Sequence, residues 1–204
     1  MLTSLDFWPH SGPRVTLAPF SEGDVDEAWA YRRLPEVTTW TGTWIASRDA
    51  WEGFARTRLV GQGLAVRAAG VLVGDAKLAV ADGWGQGGSD PAAVARCEAE
   101  VGWTIDPRFA GRGLGTELGE ELLRIAFVHA GVRRVTASAF ADNAPSIRIM
   151  EKLGMRREAL TVSASFHAAR GWIDGVDYAI LADEWRARSH SGSGDVSRET
   201  SRDA

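Results

Sequence analysis

Three glycines set two residues apart, Gly111, Gly113 and Gly115, sit in the run Val101-Gly-Trp-Thr-Ile-Asp-Pro-Arg-Phe-Ala-Gly-Arg-Gly-Leu-Gly-Thr-Glu-Leu118, between an apolar strand and a helix. Lacking Cβ atoms, they let the chain turn sharply and bring several N–H groups close to one anion. A helix opening near Leu114 adds unpaired N–H donors and the positive end of its dipole at the same point. The chemistry that suits this arrangement is holding a phosphate; a tight turn without a ligand is the other reading of the glycines alone. Spacing narrows the phosphate reading. A dinucleotide fold needs Gly-x-Gly-x-x-Gly early in a βαβ unit and an acid about 20 residues on. Here the glycines alternate in mid-chain, and no Gly-Lys-Ser/Thr string of a P-loop occurs. A pyrophosphate cradle of another kind remains.

A second segment, Asp142-Asn-Ala-Pro-Ser-Ile-Arg-Ile-Met-Glu-Lys-Leu-Gly-Met155, reads as a helix opened by Asn143 and closed by Gly154. Together the two segments resemble the GNAT acyltransferase superfamily. There "Asn-x-x-Ser-(x)5-Lys-Leu-Gly-Phe/Met" follows "Pro-x-x-x-Gly-Arg/Lys-Gly-x-Gly/Ala-Thr-Glu" at about this interval. Within it, the branch containing the ribosomal-protein N-terminal (alanine and serine) acetyltransferases looks most similar. Glu100-Val-Gly-Trp103 matches that branch's Glu-Ile-Gly-Tyr, Gly115-Thr-Glu117 its Ala-Thr-Glu, and Trp172-Ile-Asp-Gly-Val-Asp-Tyr178 the tail before its last strand. The likeness is specific from about Glu98 to Trp185.

The resemblance implies transfer of an acetyl group from acetyl-CoA, as co-substrate, to a primary amine on a protein N-terminus or a small molecule. A non-catalytic acyl-CoA-binding protein on the same fold is the alternative, as is transfer of another acyl group such as succinyl. Main-chain N–H groups across Ala110, Gly111, Arg112, Gly113, Leu114, Gly115 and Thr116 would hold the coenzyme A pyrophosphate. Arg112 either adds charge from the side or is a solvated loop residue. The pantetheine arm is expected beside Trp103, Thr104 and Ile105. An N–H near Ile105 would polarise the thioester carbonyl, a contact typically worth about 3 kcal/mol. Asn143 corresponds to the family asparagine that touches the arm, and also suits a helix N-cap. Where many relatives place a thiolate-protonating tyrosine stands Met150, which cannot donate. Ser146 matches the serine thought in the N-terminal branch to hydrogen-bond the sulfur, or is a first-turn serine.

Glu100 is the first candidate for a general base, matching a glutamate that some family members use, with burial expected to raise its pKa. Glu98, two residues earlier on the same side, is the reserve. Both alternatively cover an exposed sheet face or pair with Arg96. Cys97 has no partner histidine nearby to activate it. His10, His129, His167 and His190 lack metal-ligand spacing, so no metal is expected, and only His167 is placed to reach a substrate. Trp40, Trp44 and Trp51 either wall the acceptor groove or pack in the core.

The elements that must position these residues follow from periodicity. Arg14 to Phe20 reads as a strand, Ser21 to Arg33 as a capped helix ended by Pro35, and Ser47 to Arg58 as a second helix. Leu64 to Ala69 and Val71 to Val80 form a hairpin, and Asp82 to Pro91 reads as a surface loop or a flap over the substrate. Cys97 to Ile105 is a central strand. A helix over Leu114 to Ala130, stopped by Gly131, joins it to a parallel strand at Val135 to Phe140. Arg157 to Phe166 and Asp177 to Leu181 are two further strands. The expected fold is α/β (α+β): a single GNAT-like domain over residues 1–187, its mixed central sheet of about six to seven strands flanked by helices on both faces. A polar, disordered tail is expected over 188–204.

At 204 residues and 45% hydrophobic the chain suits one domain. A formal net charge of −4 without a basic run argues against nucleic acid. One cysteine fits a reducing, cytoplasmic compartment, and no apolar run is long enough to span a membrane. A homodimer is common among the proteins it resembles.

Overall fold

The computed structural model describes residues 7–88 and 90–191. It contains one mixed eight-stranded sheet. The strands are β1 (His10–Ser11), β2 (Val15–Pro19), β3 (Leu64–Ala68), β4 (Val71–Ala81), β5 (Glu98–Ile105), β6 (Arg134–Phe140), β7 (Arg156–His167) and β8 (Gly171–Leu181). Their spatial order is β1-β2-β3-β4-β5-β6-β8-β7, and every neighbouring pair is antiparallel except β5 and β6. All seven strands read from the sequence are present. The eighth, β1, has only two residues, too few for an alternating pattern to reveal.

The helices are α1 (Glu22–Arg32), α2 (Pro35–Thr38), α3 (Arg48–Arg58), α4 (Pro91–Val94), α5 (Leu114–Arg124), α6 (Ala144–Lys152) and α7 (Ala182–Ser191). Pro35 does not simply end a helix: it opens α2, in the first position where its missing N–H costs nothing. The long central helix is α-helical only to Arg124. Its last turn, Ile125–His129, widens into a π-helix, with the Ala130 N–H bonding the Ile125 carbonyl before left-handed Gly131. The last helix runs past Arg188, where the sequence reading begins a tail. The Arg188 guanidinium is tied to the Leu153 and Lys152 carbonyls and so docks the helix end on α6. The rest of that tail, residues 192–204, lies outside the described residues.

Helices cover both faces of the sheet, with a separate core under each. On one face Leu118, Leu122 and Leu123 of α5 are completely buried against Val101, Val135 and Met150, and each such side chain contributes roughly 1.5–3 kcal/mol. Gly119 brings α5 and α6 together, since a Cβ there would lie 2.5 Å from a Leu153 methyl. On the other face α1 and α3 close over Phe20, Tyr31, Trp51, Ala65 and Leu72. Trp51 donates its indole N–H to the Val25 carbonyl at 2.9 Å, fixing α3 against α1.

Candidate functional site

β5 and β6 run parallel and pair only from Glu98 to Glu100, against Arg134 to Thr136. Beyond that they part, while β5 stays paired with β4 as far as Ile105. The Asp106 N–H bonds the Val73 carbonyl, so with a period of two the main-chain groups of Thr104 and Gly102 also face β4. The Val101 carbonyl and the groups of Trp103 and Ile105 therefore face the gap. A cleft of 990 Å³ opens there, bordered by Val101 to Ile105 on one side and Ala137 to Ala139 on the other. Unpaired main-chain donors and acceptors on a strand need partners, and an extended polar ligand arm supplies them as an added strand would.

The cleft ends at the glycine turn. Ala110, Gly111, Gly113, and then Leu114, Gly115 and Thr116 of the first turn of α5, all border it. Gly111 and Gly113 have φ of 73° and 79°, a left-handed conformation in which a Cβ is strained, and Gly113 is the N-cap of α5. No side chain caps this helix, so its first N–H groups remain directed at the cleft. Arg112 does not border the cleft; its guanidinium lies 5.6 Å from the centre of the Phe109 ring.

Two residues that local sequence reading did not single out hold the turn in shape. The Glu117 carboxylate accepts the main-chain N–H of Arg14 at 2.5 Å and of Val15 at 3.0 Å, and Arg14 Nε at 2.6 Å. Arg14 Nη1 in turn donates to the Arg112 carbonyl at 2.9 Å. Partial burial works to raise the Glu117 pKa, but the Arg14 and Val15 donors more than offset it and hold the carboxyl below its ordinary range. Buried Asp106 caps the short 3₁₀ turn Pro107–Phe109 before the glycines by accepting the Arg108 N–H at 2.9 Å.

Asn143 and Ser146 border the same cleft from α6. Asn143 is buried and caps the helix, its Oδ1 accepting the Ser146 N–H at 3.2 Å. Met150 is fully buried in the core and does not border the cleft.

Glu100 is placed differently from the expectation. Its side chain is 50% exposed and pairs with Lys77 at 2.6 Å, and it does not border the cleft. Glu98 pairs with Arg133 at 2.6 Å rather than with Arg96. The alternation that groups Glu98 and Glu100 is real, but α1 and α3 pack over the half of the sheet containing β3 and β4, leaving these carboxylates in solvent. The described residues of the 82–91 loop do not border the cleft either, and its Trp84 is 94% exposed. Free Cys97 lies outside the cleft as well.

At the other end of the cleft, α2 and the residues after it form a wall, strapped down from the far side of the fold. Of the three tryptophans, Trp40 borders the cleft, Trp51 is core and Trp44 points largely to solvent. The turn between β7 and β8 holds this wall. His167 accepts the Ala169 N–H on Nδ1 at 3.1 Å, so Nε2 carries the proton and donates to the Thr39 carbonyl at 3.1 Å. Arg170 lies over Trp40 and pairs with Asp142, next to the α6 cap. His10 and His129 pack with Phe7 far from the cleft, and the His190 side chain is outside the described residues. Among the described residues no group of three or more His, Cys, Asp or Glu could hold a metal, and no helix is long and apolar enough to cross a membrane.

Beneath the wall lies a buried polar cluster that spacing did not reveal. Asp75 of β4 accepts the Tyr31 hydroxyl at 2.6 Å and Arg32 Nε at 2.9 Å on Oδ2, and pairs with Arg32 Nη2 through Oδ1. Burial, with Asp75 beside it, pushes the Tyr31 phenol well above its ordinary pKa, so it remains a donor.

These features have close counterparts. Residues 14–156 match the model of the family described as "Acetyltransferase (GNAT) domain". The Bacillus subtilis protein "Uncharacterized N-acetyltransferase YnaD" is 34% identical over 86 residues, which are 42% of this chain and 50% of that protein. The chain thus spans about half the length of such curated relatives. A GNAT-family acetyltransferase structure from Bacillus anthracis superposes with a TM-score of 0.72 at 23% identity, covering 85% of this chain and 98% of that one. Mycobacterium smegmatis RimJ in complex with CoA-disulfide superposes with a TM-score of 0.68 at 18% identity, covering 91% and 96%. The parted parallel strands, the glycine turn at a helix start and the family match together show that this chain belongs to the GNAT acetyltransferase family.

Proposed function

We propose that the protein is an acyl-CoA-dependent N-acetyltransferase, moving an acetyl group from acetyl-CoA to a primary amine by direct attack. The observation that carries this reading is the parting of β5 from β6 above the glycine turn. It offers the Val101 carbonyl and the main-chain groups of Trp103 and Ile105 in line with the anion-binding start of α5. The amides of residues 110–116 grip the diphosphate, Trp103 to Ile105 and Asn143 flank the pantetheine arm, and an Ile105 N–H stabilises the oxyanion of the tetrahedral intermediate. Nitrogen bonds to the acetyl carbon, the C–S bond breaks, and Ser146 Oγ hydrogen-bonds the departing thiolate. The amine proton leaves to solvent or through water, because Glu100 and Glu98 lie outside the cleft and an α-amine with a pKa near ~8 is partly deprotonated at neutral pH.

The motif likeness to the ribosomal-protein branch supports a protein N-terminus as acceptor, and a small amine fits the same cleft. The domain extends at least to the end of α7. A cytoplasmic setting suits the free Cys97. Long edge strand β7, with Leu160, Val162 and Phe166 exposed, supports a homodimer. Core-buried Met150 favours one alternative, an acyl-CoA-binding protein without turnover.

Two measurements test the reading. Calorimetry with acetyl-CoA should show binding that Gly113→Glu, which adds a strained Cβ and a like charge, weakens at least tenfold. Equal affinity would remove the cradle. Release of free thiol with an amine panel separates the transferase from the binding protein, which would leave thiol at background.

A further inference from the structure

Resting on the transferase reading, we infer that the acceptor amine carries a carboxylate close by, received by Arg32 with Arg58 as a second cation. Arg32 borders the cleft although it is 94% buried, being 6% exposed. Its Nε and Nη2 are held by Asp75, and its guanidinium lies 5.6 Å from the Trp51 ring centre. That fixes the plane of the fork. Nη1 takes no part in the Asp75 pair, and since no buried side-chain nitrogen among the described residues lacks a partner, it keeps an accessible edge on a residue that borders the cleft. A locked, nearly buried guanidinium presenting a free edge is suited to a planar oxyanion. A buried ion pair in its own right adds little stability over an apolar pair of the same volume, so packing alone does not explain its place here.

The charges around it point the same way. Cations bordering the cleft are Arg32, Arg58, Lys77, Arg148 and Lys152; carboxylates are Glu36 and Asp75. Asp75 is already engaged by Tyr31 and Arg32, and Lys77 by Glu100. Arg58, at the end of α3, has no ion-pair partner among the described residues and also borders the cleft. A polyamine would meet one free carboxylate, Glu36, and a row of like charges. An amino acid meets Arg32 and Arg58 with its carboxylate, and Trp40, Val37, Phe54 and Leu59 with an apolar side chain.

The test compares each proteinogenic α-amino acid with its own α-amide, and with spermidine, as acceptors for acetyl-CoA, following thiol release. The amide keeps the amine and loses the carboxylate. At least one acid should be acetylated with kcat/KM about tenfold or more above its amide and above spermidine. Arg58→Ala, an exposed change, should cut that acid-over-amide ratio several-fold without moving the acetyl-CoA KM. Arg32→Lys, which keeps the charge opposite Asp75 but withdraws the fork, should do the same, and the Arg58 variant decides if it fails to fold. Amides or spermidine equalling every acid, an amide or spermidine reacting where no acid does, or an unchanged ratio in Arg58→Ala would each overturn the inference. Thiol at background with every acceptor, or loss of acetyl-CoA binding, would instead remove the transferase reading beneath it.

Discussion

Glu117 shows how a single side chain can set a site it does not touch. Its carboxylate gathers Arg14 Nε and two N–H groups from the start of β2, and Arg14 then holds the Arg112 carbonyl, so the glycine turn is braced from behind. Glu117→Gln replaces one acceptor oxygen with a donor facing other donors. The acetyl-CoA KM should rise roughly tenfold, as for lost charge-assisted hydrogen bonds, while kcat stays within about twofold. Steady-state kinetics with acetyl-CoA varied checks this; a fall in kcat with KM unchanged would show that the brace acts on chemistry instead. Glu100 makes the opposite case. Exposed and paired with Lys77, it is poorly placed to take a proton from a bound amine, so Glu100→Gln should leave the pH profile of kcat/KM unchanged within about twofold.

Elements were legible in the sequence wherever the signal is local. The glycine turn, α5 and α6 announce themselves through spacing, caps and a 3.6-residue period, and the β3–β4 hairpin through Ala69-Gly70, both of which have positive φ. What escaped depends on distance along the chain. Arg32 and Asp75 are 43 residues apart and Arg14 and Glu117 are 103 apart, and no periodicity links such partners. The fate of the three tryptophans was undecidable for a related reason: α3 turns Trp51 inward beside Ala55, while Trp40 and Trp44 lie in irregular chain whose direction only packing fixes. Gly74 is a further case. A Cβ there would collide with the Thr104 carbonyl of the neighbouring strand, at the point where β5 meets the cleft. Gly74→Ala should destabilise the protein by about 2 kcal/mol and weaken acetyl-CoA binding, because Thr104 and Ile105 must shift. Denaturant melts beside calorimetry will show both; a melt matching the parent protein would mean that the strands yield freely.

Across the whole molecule, the part of one sheet face that α1 and α3 leave open is held by charge. Arg134 and Arg156 both pair with Glu158 at 2.7 Å, and Arg133 with Glu98 at 2.6 Å, bridging β5, β6 and β7. Hydrogen bonding from Arg134, opposed by slight desolvation and helped by Arg156, holds the Glu158 carboxyl down at about 2. A carboxyl so depressed adds stability above its unfolded pKa of about 4.3, and that stability drains away as the pH falls toward about 2. Glu158→Gln should therefore melt slightly below the parent protein at neutral pH, and the gap should close across that acid window. A gap independent of pH would assign the effect to packing.

The strap from the β7–β8 turn onto Thr39, Trp40 and Asp142 also means that the two ends of the cleft are held by separate stretches of chain. His167 and Arg170 fall beyond residues 14–156, the stretch matched to the family model, whereas the glycine turn lies wholly inside it. Substitutions at His167 or Arg170 would therefore shift the Trp40 wall of the cleft while leaving the glycine turn and its Glu117 brace in place.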